Sequence, residues 1–192
     1  MTIDWTGYPI YPSTGGGPSA QLSRADTRAR HRHRMAIKDE RIALLAALTS
    51  KHGIPLENSY DCLMRLNAWY RDNVSLEPGY ETRLLAEWYS FATDLDLFMG
   101  DCLIERYPWL EWTLHTTGKK MEAYESSVIR GYKVSETRFT DFDLIIAGWG
   151  NTYLMKPSAP VTTFATFFIY GEYIPLDEKK RRQEGLPGYT AP

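Results

Sequence analysis

The spacing of apolar residues predicts three helices in the first half of the chain. Apolar side chains recur there every three or four residues, the period that places them on one face of a helix. The predicted helices cover residues 23–52, 59–73 and 80–106. The third carries the widest apolar stripe, so we expect it at the centre of the fold. Gly100 lies within it and should allow the close approach of a neighbouring element, because glycine has no side chain.

After the third helix the apolar period changes to two. Apolar residues alternate with polar ones between Leu110 and Leu114, which is the pattern of a half-buried strand. Further strands are predicted over 127–134 and 162–173, and the apolar residues 142–149 fit either a strand or a short helix. Helices that precede strands favour an α+β fold over a parallel α/β fold. The predicted architecture is therefore α+β, with about three N-terminal helices followed by a small, mostly antiparallel sheet.

The two ends of the chain differ from the part between them. Residues 1–22 contain clustered Gly and Pro, which interrupt regular structure, together with four apolar or aromatic side chains that a simple linker lacks. These four are Trp5, Tyr8, Ile10 and Tyr11. We expect this arm to dock onto the body of the same chain, a second copy or another protein. The chain then divides into an extended arm (1–22), one α+β domain (23–174) and a polar, charged tail (175–192).

Composition excludes several classes of protein. The 192 residues include 22 Lys and Arg and 24 Asp and Glu, and this near-balance excludes a histone-like binder whose whole surface faces phosphate. Hydrophobic residues make up 43% of the chain, which excludes wholesale disorder. Two cysteines, Cys62 and Cys102, are too few for a disulfide scaffold or a four-thiolate zinc site. With neither a secretion signal nor a run of about 20 apolar residues, we expect a soluble cytoplasmic protein that does not bind membranes.

A dense basic stretch lies at the start of the first predicted helix. Its arginines, interleaved with His31 and His33, suit contacts with the phosphates of a nucleic acid or with an acidic partner. The alternatives are a solvated helix face, or pairing with acidic residues of this same chain. No signature of a DNA- or RNA-binding module accompanies the stretch. The five arginines are Arg24, Arg28, Arg30, Arg32 and Arg34.

Four carboxylates fall in a narrow band along the third predicted helix, namely Glu87, Asp94, Asp101 and Glu105. Only Asp101 and Glu105, four residues apart, are close enough to bind one metal ion. With His115 as a general base, this pair defines a hypothetical metal-dependent hydrolase. The band would otherwise dock a basic segment, such as the arginine stretch, or form the solvated side of the helix. We expect the last, because charged side chains are mostly exposed.

The chain lacks the sequence motifs of the common catalytic classes. It contains no G-x-S-x-G elbow, no H-E-x-x-H zinc motif, no phosphate loop and no dinucleotide fingerprint. We therefore expect neither a catalytic residue nor a cofactor. The 13 Tyr and 6 Trp residues are instead typical of protein interfaces. Trp149, in a predicted turn between Gly148 and Gly150, is either exposed to a partner or packed on the core.

The segment FMGDCLIERYPWLEW, residues 98–112, resembles a pattern in small uncharacterised bacterial α+β domains. In those domains a helix that carries Gly followed by an acidic residue leads into a strand with Trp. Some of them are similar to immunity proteins found beside toxin genes. The resemblance covers residues 80–150, and the chain departs from the pattern by Asp101 in place of Glu and by its long arm. It implies a bacterial, non-catalytic, partner-binding role.

These observations favour an interaction protein of accessory or immunity type, which binds another protein or a copy of itself through its arm and tails. Its candidate contact residues are Trp5, Tyr8, Ile10, Tyr11 and Trp149. One alternative is a small metal-dependent hydrolase that uses Asp101 and Glu105. The other is a nucleic-acid-binding accessory protein that uses the arginine stretch.

Overall fold

The computed structural model describes residues 3–12, 22–132, 138–161 and 163–166. This part of the chain combines helices with a small antiparallel sheet, as the α+β prediction requires, but it holds six helices rather than about three. The elements are α1 (Arg24–Ala36), α2 (Lys38–Lys51), α3 (Tyr60–Asn73), α4 (Ala86–Arg106), β1 (Glu111–Leu114), β2 (Ser127–Arg130), α5 (Phe142–Met155) and the short helix α6 (163–166).

The prediction of a single helix over 23–52 is wrong, because the chain forms two helices there, α1 and α2. The first of them begins as expected, because the Ser23 side chain accepts a hydrogen bond from the backbone N–H of Asp26. Ile37 then ends α1, although neither Pro nor Gly is present to break the helix. The break follows from packing: α2 lies along α4, whereas α1 turns away to contact β1.

The central position predicted for α4 is confirmed, since every residue from Ser90 to Gly100 is buried. Both α2 and α5 pack against it. The helix begins at Ala86 rather than at residue 80, because Leu84 is fully buried and forms an antiparallel bridge with Leu76. The close approach expected at Gly100 is also confirmed, since a β-carbon there would overlap the ring of Trp112.

The sheet consists of β1 and β2, which pair antiparallel with Glu111 opposite Arg130 and Leu114 opposite Ser127. The undecided segment 142–149 is helical and belongs to α5. The predicted strand over 162–173 is wrong at 163–166, which are helical, and its other residues lie outside the described part of the chain. Residues 163–166 are helical despite their β-branched and aromatic composition, because they pack against α3.

The contact that holds α6 against α3 runs through the buried side chain of Asn67. Its Oδ1 accepts a hydrogen bond from the Phe164 N–H at 3.1 Å, and its Nδ2 donates to the Tyr153 hydroxyl at 2.6 Å. Phe164 itself is fully buried. This arrangement satisfies a polar side chain within the core and joins three helices.

Aromatic rings fill the core where α3, α4 and α5 meet. Tyr70 stacks on Phe91 at 5.3 Å between ring centroids, and Trp88 is 1% exposed. The arm reaches this cluster, since the ring of Trp5 meets Trp88 edge-on at 4.8 Å. None of the described helices is long and apolar enough to cross a membrane. The tail over 175–192 lies outside the residues described.

Candidate functional site

The described part of the arm, residues 3–12, docks onto the body of the same chain, the first of the three alternatives. Tyr8 is 5% exposed, and its hydroxyl donates a hydrogen bond to the buried carboxylate of Asp94. Trp5 packs in the aromatic core. Ile10 remains 49% exposed, and the backbone N–H of Tyr11 donates to the Ser90 hydroxyl at 2.8 Å. Trp5 and Tyr8 thus anchor the arm, Ile10 is exposed, and Tyr11 is half-buried with its hydroxyl buried.

Trp149, the fifth candidate contact residue, lies in the helix α5 and not in a turn. Its side chain is half-buried, and its ring packs against Tyr153 with 5.6 Å between centroids. The flanking Gly150 is buried against the Tyr70 hydroxyl, which explains a small residue at that position. Trp149 therefore packs on the core, as the second of the two interpretations states, and is not exposed in a turn.

The arginine stretch divides into an exposed part and a buried end. Arg34 is 14% exposed at its side chain and pairs with the fully buried Asp96 and, at 3.5 Å, with Asp143. For Arg34, pairing with acidic residues of this same chain is thus the correct interpretation. Arg30 is half-buried. The three exposed arginines, which lie four residues apart, are Arg24, Arg28 and Arg32.

Two of the four carboxylates in the acidic band on α4 pair with basic side chains, and the expectation of a solvated face is wrong for these two, Asp94 and Asp101. Asp94 is fully buried and paired with Arg41, and Asp101 pairs with Lys38. Both cations belong to α2 rather than to the arginine stretch. The indole N–H of Trp112 also donates to Asp101, at 3.0 Å.

The residues of the hypothetical hydrolase are not brought together. Glu105 accepts a hydrogen bond from the Asn58 side chain at 2.7 Å, whereas Asp101 faces Lys38. His115 is buried beside Arg130, whose Nη2 lies 2.6 Å from Nδ1, and both burial and Arg130 lower its pKa. Across the described ranges, no group of three or more His, Cys, Asp or Glu side chains is placed to hold a metal ion.

A cleft that sequence reasoning missed lies between the arm, α1, the first half of α4, the loop before β2 and the start of α5. It consists of two adjoining cavities of about 500 and 480 Å³, which share Glu122, Asp141 and Leu144 as lining residues. We call the first cavity the polar half and the second the apolar half. Such volumes are typical of ligand-binding pockets.

Residues that line the polar half carry polar atoms that lack a hydrogen-bond partner among the described residues. Its lining side chains include three whose buried atoms have no partner in the described residues: the Tyr11 hydroxyl, His33 Nε2 and Arg34 Nε. Buried polar atoms nearly always have a partner in folded proteins. His31 also lines this half, with Nδ1 at 2.9 Å from the Ser127 hydroxyl, and burial lowers its pKa so that the ring is neutral at pH 7.

Two buried carboxylates line the same half. Asp141 is 8% exposed and caps α5, accepting a hydrogen bond from the Leu144 N–H at 3.2 Å. Burial, with the nearby charge of Asp143, raises the pKa of Asp141 to about 6. Glu125 is 6% exposed and adopts a left-handed backbone with φ of 63°. Such a conformation is unfavourable for a residue other than glycine, and residues strained in this way are enriched at functional positions.

The apolar half has a different lining. It is bordered by the side chains of Met121, Ala123, Phe139, Phe142 and Ile145. Two apolar side chains at the mouth of the cleft are well exposed, Met121 at 47% and Leu144 at 40%. The cleft therefore places an apolar surface directly beside a group of carboxylates.

No local motif marks this cleft in the sequence, because its walls come from five separated segments of the chain. A signal that could have pointed to it is the pair of acidic residues Asp141 and Asp143 at the start of α5. Comparison of the chain with protein-family models, with curated proteins and with solved structures gave no significant match to any of them.

Proposed function

We propose that this chain is a non-catalytic protein-interaction protein, of accessory or immunity type, whose cleft receives a segment of another protein. The observation that carries the proposal is the pair of adjoining cavities, one polar and one apolar, that meet at Asp141 and Leu144. Protein interfaces combine these two kinds of surface, with an apolar centre and a polar rim. The bacterial source and the cytoplasmic location expected from the sequence belong to the same proposal.

The arm has a different role here from the one that the sequence suggests. Trp5 and Tyr8 lie within the body and hold the arm in place. Ile10 and Tyr11 then form one wall of the polar half, so the arm contributes to partner binding by shaping the cleft. A second copy of the chain is the alternative partner, and the mass of the intact assembly distinguishes the two.

A matched pair of substitutions on α5 tests the proposal. Leu144→Arg places a long charged side chain at the junction of the two cavities, whereas Met155→Arg changes a residue that is 76% exposed on the same helix and does not line the cleft. Affinity capture from cells of the source organism, followed by mass measurement of the intact complex, should give one partner with wild type and with Met155→Arg. Leu144→Arg should lose it.

Two results would contradict this function. One is a partner that Leu144→Arg retains as well as Met155→Arg does, which would place the interface elsewhere. The other is wild-type protein that remains alone at native abundance. Both variants change exposed positions and should keep the circular dichroism spectrum and the melting temperature of wild type.

A second candidate function is supported by the three exposed arginines of α1. Arg24, Arg28 and Arg32 lie four residues apart and so share one side of the helix. Phosphate contacts through them would make nucleic-acid binding fall steeply with salt concentration. Replacing all three by Gln should then abolish both the binding and its salt dependence; absence of measurable binding by wild type at low salt would exclude this function.

A further inference from the structure

The charges that line the polar half of the cleft are unevenly balanced. Among the described residues, four carboxylates line it, namely Glu122, Glu125, Asp141 and Asp143, against the two arginines Arg30 and Arg34. Arg34 is already engaged, since it pairs with Asp96 behind the cavity wall as well as with Asp143. Even with both arginines counted, the carboxylates are in excess, and His31 adds no charge at pH 7. The cavity therefore has a negative potential.

Two of these carboxylates, Asp141 and Glu125, are 8% and 6% exposed, and Arg34 pairs with Asp96 and Asp143 rather than with either of them. The charge of Arg34 and a hydrogen bond with the Ser126 side chain still lower the pKa of Asp141, but burial outweighs both. The Thr27 hydroxyl has one proton to donate and two acceptors within reach. They are Oε2 of Glu125 at 3.1 Å and the Ser23 carbonyl oxygen at 2.9 Å. Buried carboxylates are normally paired with a cation, so this arrangement is suited to a cation from elsewhere.

The neighbouring atoms suit an organic cation with several N–H donors. The Tyr11 hydroxyl oxygen lies in the wall of this half without a partner in the described residues, so it would accept a hydrogen bond from the cation only after its side chain moves toward the cavity. A bare metal ion fits less well, because the described side chains form no group of three metal ligands. The apolar half adjoins the carboxylates at Asp141, where it can cover an aliphatic stem or a neighbouring apolar side chain.

We propose that the polar half of the cleft binds a guanidinium or primary ammonium group, with Asp141 and Glu125 as its paired carboxylates. This rests on the proposed function, in which the group is an Arg or Lys side chain of the partner segment, followed by an apolar residue in the apolar half. A free amine or guanidine compound has the same chemistry. The partner's side chain is favoured because the apolar half extends the site beyond the size of the charged group.

Two small ligands of equal shape test the charge requirement. N-acetylarginine amide carries the guanidinium group, and N-acetylcitrulline amide replaces it by a neutral urea. Titration calorimetry with the full chain should give binding of the arginine compound that is at least about tenfold tighter, because hydrogen bonds between charged groups are worth more than neutral ones. Equal binding of both compounds, or no binding of the arginine compound at about 10 mM, would overturn the proposal.

Three matched variants test the two carboxylates. Asp141→Asn removes the charge but keeps a residue that caps helices equally well, and Glu125→Gln removes the charge at nearly constant size. Each should weaken the binding of N-acetylarginine amide by about tenfold. Asp61→Asn removes an exposed carboxylate on α3, far from the lining of the cleft, and should change the affinity by less than about twofold. Unchanged binding by both cleft variants would refute the assignment.

The affinity should also depend on pH in a defined direction. A proton on Asp141 competes with the cation, so binding should strengthen from pH 5 to pH 7 as this carboxyl ionises. The charged and titratable groups around it are those that line the two cavities: Arg30, His31, His33 and Arg34 on α1, Asp143 on α5, Glu122 and Glu125 in the loop before β2, and Arg138 before α5. Protonation of His31 at low pH acts in the same direction, since it adds positive charge. Binding that strengthens toward pH 5 would indicate an anionic ligand and contradict the proposal.

This inference and the proposed function can fail separately. If N-acetylarginine amide binds as described but no protein partner is found, the cation site stands and the interaction function fails. If a partner is lost with Leu144→Arg but is unaffected by Asp141→Asn and Glu125→Gln, the interaction function stands and the cation site is wrong.

Discussion

Arg41 and Asp94 form a two-pronged ion pair inside the protein. The guanidinium Nε lies 2.8 Å from Oδ1 and Nη2 lies 2.6 Å from Oδ2, and the side chains are 3% and 0% exposed. Arg41 also donates to the Pro9 carbonyl at 3.0 Å, and the Tyr8 hydroxyl donates to the same carboxylate. One buried charge pair thus joins the arm, α2 and α4, and through the arm it positions one wall of the cleft.

Replacing Arg41 should destabilise the fold strongly. Arg41→Met leaves the Asp94 carboxylate buried without a cation, and the free energy of unfolding should fall by about 3–5 kcal/mol. Urea denaturation followed by tryptophan fluorescence measures the change. The control is Arg71→Met, which breaks a pair with the exposed Asp72 and should cost about 0–1 kcal/mol. If the two substitutions have similar effects, the buried pair has no special role in stability.

The two tyrosines of the arm should respond differently to loss of their hydroxyl groups. Tyr8→Phe removes a hydrogen bond to a buried carboxylate and should lower the free energy of unfolding by about 1.5–3 kcal/mol. Tyr11→Phe removes a hydroxyl that has no partner in the described residues and should have almost no effect. Thermal unfolding of both variants compares them directly. A stable Tyr8→Phe would mean that the arm is not held by this contact.

Two glycines within helices should give opposite results when replaced by alanine. In Gly100→Ala the new methyl group overlaps the Trp112 ring, and the protein should lose about 1–3 kcal/mol of stability. Gly148 lies in α5, and the described chain leaves open space within 4 Å of the position that a new methyl group would occupy there. Gly148→Ala should therefore gain about 0.5–1 kcal/mol through helix propensity. Melting temperatures should move in opposite directions; a gain in Gly100→Ala would contradict the packing described.

Asp141 should make stability depend on pH. Its pKa is raised to about 6, so the folded state holds this proton more tightly than the unfolded chain does. The stability it contributes is present at low pH and is lost as the pH rises from about 4 to about 6. The loss corresponds to up to about 3 kcal/mol. The unfolding free energy of wild type minus that of Asp141→Asn should therefore fall as the pH rises from about 4 to about 6. A value that rises with pH instead would show that the pKa of Asp141 is lowered.

Much of the helical part of the fold could be predicted from local sequence signals. The helix predicted over 59–73 occurs as Tyr60–Asn73 and begins at the Ser59 cap, because periodicity and capping act over a few residues. The break at Ile37 carries no such signal, since it arises from α1 and α2 packing on different elements. The helical residues 163–166 likewise depend on a contact with Asn67, almost a hundred residues earlier.

The candidate site is harder to predict than the fold. Aromatic residues in the arm suggest an exposed adhesive segment, but Trp5 and Tyr8 have partners in the core that sequence proximity does not reveal. The acidic band on α4 is expected to be solvated, yet its Asp94 is matched by an arginine 53 positions away. The carboxylates of the cleft lie in a loop and at a helix start, where acidic residues are common for local reasons.

The contact between Tyr8 and Asp94 also constrains the order in which the protein can fold during synthesis. The acceptor is made 86 residues after the donor, which at about 5–20 residues per second corresponds to roughly 4 to 17 s. During this interval the arm has been made without the surface on which it docks. The arm therefore reaches its final position only after a segment translated later, and the wall of the cleft is completed only after α4 has emerged.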